Sequence, residues 1–255
     1  MTINLEFLPQ TAFVFILLFA RIGVIITVLP GVGDRSVPVR MRLVFALALV
    51  LVMMPVLQDK LPPMPTSVSG MVTSLLGELL LGMAIGFSIR ILITALIVTG
   101  EIIALQTGLA FAQSVDPSQG VQGTLVANFL SLLSVTLIFA ADLHHIFIGA
   151  IHDSYSLFPV GLAFPGGDFA QLSIRAMGEA FRIAVQLSSP FLVFGLVFYF
   201  GVGILSRLIP QVQVFFVIQP ATIYLGFIIL MLLLSTLMFW YLDYFQNSLK
   251  PYIQS

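Results

Sequence analysis

"LIPQVQVFFVIQPATIYLGFIILMLLLSTLMFWYL" occupies residues 208–242 and contains no Asp, Glu, Lys or Arg. A helix crosses the hydrocarbon core of a bilayer with about 20 apolar residues, so this run is long enough to span a membrane. Pro210 and Pro220 interrupt it, and each ring removes a backbone donor and favours a kink. Backbone groups freed at membrane depth must be satisfied by neighbouring helices or by a water-lined cavity. The run therefore predicts a bent helix packed in protein, and 183–206, interrupted by Pro190, predicts another.

Further uncharged or nearly uncharged runs lie at 11–29, which holds Arg21, and at 43–57, 79–89, 91–100, 102–115 and 117–141. Only the first and the last few of the whole series reach spanning length alone. Composition agrees: 8% of the 255 residues are charged and the mean hydropathy is +1.12, against roughly a quarter charged in soluble domains. The chain reads as an all-α integral membrane protein of kinked helices. The net charge of −1 offers no basic field for nucleic acid. The absence of cysteine removes disulfides, thiolate catalysis and zinc–thiolate sites.

Pro- and Gly-rich punctuation falls at 30–42, 58–70, 115–124 and 158–170. No fixed-period repeat divides the chain, so a single membrane domain over 1–255 is expected, with a C-terminal helical hairpin from about 171. Glu6 precedes the first apolar run, no Lys or Arg precedes Arg21, and no small-residue cleavage site follows. Residues 1–30 are accordingly read as retained structure. Arg35, Arg40 and Arg42 against Asp34 place the 31–42 loop on the cytoplasmic side by the positive-inside tendency.

Arg21, Glu78, Arg90, Glu101, Asp142 and Arg207 lie within or beside apolar runs. An unpaired charge there costs about 2.5–3.5 kcal/mol on insertion scales, so these side chains must face protein or water. On one continuous helix Arg90 and Glu101 share a face about three turns apart, which directs each to partners on other helices or other chains. Two readings follow: an ion or proton relay, or ion pairs that register helices. "GMAIG" at 82–86 is a Gly-xxx-Gly step through which two helix backbones can approach closely.

"ADLHHIFIGAIHD" at 141–153 is the one cluster with metal-binding residue types; on a helix His145 and His152 share a face with Asp142 one turn before His145. It lacks the His-Glu-x-x-His spacing of a zinc protease. No Gly-x-Ser-x-Gly, Walker or dinucleotide motif is present, and "GVGD" at 31–34 lacks the third glycine. The chain is not expected to be an enzyme. The 23 Phe and 10 Met are read as packing residues.

Between two apolar helices, "GLAFAQSVDPSQGVQGT" at 108–124 is half apolar and half polar, hinged by glycines and Pro117. Irregular backbone does not face lipid at membrane depth, so this segment either emerges into water or lines a protein-walled cavity. An interfacial loop and a movable constriction both satisfy that condition.

"ARIGVIITVLPGVGDRSVPVRMRLVFALAL" (20–49), "GELLLGMAIGF" (77–87), "QTGLAFAQSVDPSQG" (106–120), "DLHH" (142–145) and "SRLIPQVQVFF" (206–216) resemble, in order, the successive motifs of the FliR family of flagellar type III export-gate proteins. The family often carries Asp-Gly-His-His where this chain has Leu143, and Asn where it has Gln213; related subunits occur in injectisomes. The resemblance implies a FliP-like helical part over 1–170 and a FliQ-like hairpin over 171–255. It also implies assembly with FliP and FliQ, contact with FlhB and FlhA, and a place in the basal body at the bacterial inner membrane. Unfolded flagellar export substrates would pass, and no cofactor or metal would be needed. Gly108, Leu109, Ala110, Phe111, Ala112, Gln113, Ser114, Val115, Asp116, Pro117, Ser118, Gln119 and Gly120 would form a plug that closes the pore. Arg21, Glu78, Gly82, Gly86, Arg90, Glu101, Arg207, Pro210, Gln211 and Gln213 are expected to be assembly contacts. The competing class is a secondary transporter or ion channel, motivated by charges in apolar helices; a membrane metalloprotein using His144, His145 and His152 is a third.

Overall fold

A computed structural model describes residues 7–34, 36–57, 60–110, 123–161, 165–208 and 214–249. Among them the regular structure is helical throughout: α1 (Phe7–Val28), α2 (Val39–Leu57), α3 (Val68–Gln106), α4 (Leu125–Ala140), α5 (His144–Leu157), α6 (Gly166–Leu208) and α7 (Val214–Leu249). Five helical stretches are long and apolar enough to cross a membrane, namely Pro9–Val28, Val39–Leu57, Val68–Gln106, Gly166–Leu208 and Ile218–Leu249. The pair α4 and α5 passes the same test jointly as a broken sixth. The all-α membrane class expected from the sequence is the class observed.

Helix boundaries follow local chemistry. α1 ends before Pro30 and Gly31, whose φ of +83° suits glycine, and the Gly31 N–H donates to the Asp34 carboxylate at 3.0 Å. The loop before α3 is held to α1 by Gln10, which donates to the Pro62 carbonyl at 3.4 Å and accepts from the Met64 N–H at 2.7 Å. Ser67 caps α3, its hydroxyl accepting from the Gly70 N–H at 3.1 Å, as Ser does at many helix starts. Thr124 caps α4 in the same way, accepting from Ala127 N–H at 3.2 Å.

α3 departs from the sequence reading. The charges at Glu78, Arg90 and Glu101 suggested three shorter apolar runs, yet one helix of 39 residues passes through all three positions. Proline is absent from 66 to 116, and a charge that finds partners in the protein gives the backbone no reason to break. α6 likewise continues for 43 residues through Pro190. The carbonyl of Gln186, which would have bonded to the missing N–H, instead accepts the Ser189 hydroxyl at 2.7 Å.

The chain divides into two compact units that interleave along the sequence: Met1–Ile91, Asp142–Ala176 and Asn247–Ser255 form the first, and Leu92–Ala141 and Met177–Gln246 the second. The first is centred on Leu17, Leu18, Ile22, Ile25 and Ile26 of α1, with Val50 and Leu57 of α2, Ile85 of α3 and Ile151 of α5, all buried. In the second, Leu96 and Ile103 of α3 are buried, as are Leu130 of α4, Leu187 and Phe191 of α6 and Tyr241 and Phe245 of α7. Large apolar residues stay exposed on α6 and α7, including Leu196 at 75%, Phe200 at 71% and Met231 at 78%. At a rise of about 1.5 Å per residue, a helix as long as α6 measures roughly 65 Å, twice the roughly 30 Å of a hydrocarbon core.

Candidate functional site

The first unit is built around a guanidinium. Arg21 on α1 is fully buried and Glu78 on α3 is 1% exposed. Arg21 Nε donates to Glu78 Oε2 at 2.6 Å and Nη2 to Oε1 at 2.9 Å, a two-pronged pairing whose planar match makes it among the strongest hydrogen-bonded arrangements. Nη2 also donates to the Phe158 carbonyl at 2.9 Å, and Nη1 to the Ser154 carbonyl at 3.0 Å and the Ser154 hydroxyl at 3.4 Å. Each of the five N–H donors of an arginine thus has an acceptor.

Two of those acceptors, the Ser154 and Phe158 carbonyls, lie at the C-terminal end of α5, which carries the negative end of the helix dipole; the Ser154 carbonyl also accepts the Phe158 N–H at 2.9 Å. Arg21 therefore joins α1, α3 and the end of α5 at one point, with the Tyr155 ring centroid 4.1 Å from its Cζ. The sequence marked Arg21 and Glu78 as charges needing partners. It gave no sign of Ser154, Tyr155 or the Phe158 carbonyl, because a backbone acceptor leaves no trace in composition.

Gly82 and Gly86 serve the same packing. A methyl group on Gly82 would lie 2.6 Å from the Arg21 carbonyl oxygen, and one on Gly86 3.0 Å from Val28 Cβ. The Gly-xxx-Gly step thus seats α3 against α1 of the same chain. Arg90, one turn beyond Gly86, is exposed and donates to the Val28 carbonyl at the C-terminal end of α1 at 3.3 Å, a second cation placed on a helix C-terminus. Arg207 is exposed in the last turn of α6. Pro210, Gln211 and Gln213 lie outside the described residues.

In the second unit α3 meets α4 at a tight junction. Glu101 Oε1 accepts the Thr124 N–H at 3.0 Å, and the Thr124 hydroxyl donates to the Gly100 carbonyl at 3.4 Å. A carboxylate beside the N-terminus of α4 is favoured by the helix dipole. Any side chain on Gly100 would overlap the Ala127 backbone. The turn just beyond α3 is held as well: Gln219 on α7 donates to the Gly108 carbonyl at 3.0 Å, where Gly108 has φ +75°. Gly226 on α7 leaves room for Thr107, and Gly195 on α6 for Gln106. Of the residues expected to form the plug, Gly108, Leu109 and Ala110 are described; 111–120 are not. Gln219 escaped sequence reading because nothing distinguishes one amide beside a proline in an apolar run.

Glu101→Ala is expected to lower stability by about 1.5–3 kcal/mol, the range for a hydrogen bond to a charged group, whereas Glu101→Gln, which keeps an acceptor but not the charge, should lie between it and wild type. Recovery of the assembled complex from membranes reads this directly. Wild-type assembly of Glu101→Ala with export lost would instead assign Glu101 a relay role.

The turn at 141–143 and the start of α5 bring metal-capable groups together. Asp142 adopts φ +56°, and ligand atoms of Asp142, His144 and His145 lie within 4.8 Å of one another. His145 and His152 lie seven residues apart on α5 and share a face as expected, and His152 pairs with Asp153 at 2.8 Å.

Long apolar helices crossing a membrane, with an arginine neutralised in their midst, define an integral membrane protein of helical architecture. Residues 12–248 match the family described as "Bacterial export proteins, family 1". The chain is 41% identical over 237 residues to the flagellar biosynthetic protein FliR of Caulobacter vibrioides, covering 93% of this chain and 94% of that one. It is 30% identical to FliR of Bacillus subtilis over 88% of this chain and 86% of the relative, and 28% identical to that of Escherichia coli over 81% and 78%. The chain belongs to the FliR family. Members of this family are structural components of an export channel rather than enzymes, and this chain is one in the bacterial inner membrane.

Proposed function

We propose that this subunit helps form the pore of the flagellar type III export gate and supplies, from residues 108–120, the plug that keeps the pore shut until an unfolded substrate passes. The observation that carries the reading is that the segment between α3 and α4 is anchored at both ends within one unit. Gly108 is held by Gln219, and Thr124 by Glu101 and the Gly100 carbonyl. A loop fixed at both ends by helices can change conformation between its anchors without the pore-forming helices separating. Its composition, apolar at Leu109–Ala112 and polar at Gln113–Gln119, suits a stopper that seals against apolar walls and tolerates water.

The partners are FliP- and FliQ-type subunits in the same pore, with FlhB- and FlhA-type proteins alongside, in the flagellar basal body. The FliP-like portion is 1–170 and the FliQ-like hairpin 171–255. Arg90 and Arg207, exposed on their helices, are the charges of this chain best placed to meet those partners, together with Pro210, Gln211 and Gln213. Arg21, Glu78, Gly82, Gly86 and Glu101 support assembly by fixing the helices that present those contacts. Exposed apolar residues on α6 and α7, on helices longer than a bilayer is thick, support a protein-covered rather than a wholly lipid-covered surface.

Deleting 110–120 tests the plug. Cells carrying the deletion are expected to leak small solutes across the inner membrane while the complex is still recovered with its partners. Recovery of the complex with no leak would remove the plug role; recovery of the chain alone, or only with copies of itself, would favour a small-solute transporter.

A further inference from the structure

In the first unit a cleft of about 440 Å³ opens between α1, α2 and α3. Phe19 and Gly23 line it from α1, Leu43 and Ala46 from α2 and Leu79 from α3, and Arg42 is the single charged residue on its wall. Leu43 is 47% exposed and Leu79 37%, so the cleft is open to its surroundings. Water gains little in such a space, because it offers almost no polar partner. An apolar ligand with an anionic end fits both of its features.

Arg42 is held in place rather than paired. Its Nε and Nη2 donate to the Val37 carbonyl at 3.1 and 3.0 Å, and its Nη1 to the Gly33 carbonyl at 3.4 Å. Those bonds use three of the five N–H donors of a guanidinium, and among the described residues it forms no ion pair. The nearest acid in sequence on this loop, Asp34, accepts the Gly31 N–H. Arg40, the exposed second residue of α2, adds a positive charge near the same helix start, on another face from Arg42. By the positive-inside tendency this loop faces the cytoplasm, and the cytoplasmic leaflet carries the anionic lipids that attract juxtamembrane arginines.

We propose that this cleft is a binding site for an anionic phospholipid, with an acyl chain against Phe19, Gly23, Leu43, Ala46 and Leu79 and the phosphate at Arg42. The proposal is independent of the plug. A neighbouring protein helix is the other occupant an apolar cleft could take, but it would meet the guanidinium only with an acid placed at that one point, whereas a phospholipid supplies apolar chain and phosphate in one molecule.

The test is native mass measurement of the complex extracted in mild detergent through a tag on this chain, with retained phospholipids identified and counted. A juxtamembrane arginine contributes about 1 kcal/mol toward an anionic lipid, so Arg42→Gln should lower retention of phosphatidylglycerol about fivefold while leaving phosphatidylethanolamine unchanged. Arg42→Lys should keep most of the effect. Gly23→Leu, whose side chain grows into the cleft and whose Cβ meets only the Phe19 ring at 3.5 Å, should reduce retention of the lipid with the arginine intact. Equal retention in Arg42→Gln and wild type overturns the proposal, as does a loss with no headgroup preference. If Gly23→Leu instead loses partner subunits while its phosphatidylglycerol content per chain holds, the cleft is a protein interface and the lipid proposal is wrong.

Discussion

Glu78→Ala is expected to remove most of the chain from assembled complexes. The substitution leaves a guanidinium with no exposed surface facing the two hydrogen bonds it has lost, and breaking one partner of a buried ion pair costs about 3–5 kcal/mol. Stabilities of folded domains are about 5–15 kcal/mol, so a loss of that size takes a large share. Glu78→Gln, which keeps one acceptor oxygen and the volume but no charge, should lie between. Replacing both partners with apolar residues should recover only part of the loss. In many buried pairs such a double change is nearly neutral, but here it also leaves the Phe158 carbonyl without the arginine N–H that meets it and the Ser154 carbonyl with only its bond from the Phe158 N–H. Complex yield and the midpoint of thermal unfolding in detergent report the series. Normal yield and midpoint for Glu78→Ala would mean that the Arg21 cluster does not hold the first unit together.

The second large effect is expected at Gly100. A side chain there meets the Ala127 backbone directly, and backbone cannot rotate away as a side chain can. Gly100→Val must therefore push α3 and α4 apart at the point where Thr124 and Glu101 meet. Overpacking costs about 1–3 kcal/mol and sometimes more, and here the shift would also stretch the Glu101–Thr124 and Thr124–Gly100 hydrogen bonds. A several-fold drop in complex recovery is the expected reading. Gly178→Ala on α6 is the matched control: nothing lies within 4 Å of a methyl group there, and removing a helix glycine stabilises by about 0.4–1 kcal/mol when the site has room. If the two variants behaved alike, the close approach at Gly100 would have no energetic weight.

Much of the architecture is written in the residues themselves. The apolar runs, the proline-rich stretches near 30–42, 58–70 and 158–170, and the end of α3 before 115–124 all correspond to helices and connections. Membrane class follows from composition, since so few charges cannot cover a soluble surface. What sequence misplaced was continuity. Glu78, Arg90 and Glu101 looked like interruptions because a charge in an apolar run is costly in isolation, whereas that cost disappears once a partner from a distant segment is present.

The site was legible in the same uneven way. Arg21, Glu78, Gly82 and Gly86 stood out as anomalies in apolar surroundings, and the structure gathers all four at one crossing of α1 and α3. Their acceptors on α5 lie more than 130 residues from Arg21 in sequence, and no spacing rule reaches so far. Gln219 and Ala127 were invisible for a simpler reason: one acts through an ordinary amide and the other by its backbone. The histidines were legible in part: His145 and His152 share a face of α5 as their spacing implied, whereas the left-handed turn at Asp142 that sets its carboxylate near His144 and His145 left no sign in the sequence.

The long exposed apolar flanks of α6 and α7 bear on the life of the molecule in the cell. A helix twice the thickness of its bilayer cannot be dressed by lipid along its whole length, so a newly inserted copy carries unfinished surface until neighbours arrive. Its amount in the membrane is therefore expected to fall when those neighbours are withheld, which pulse-chase of this chain in cells lacking them would read.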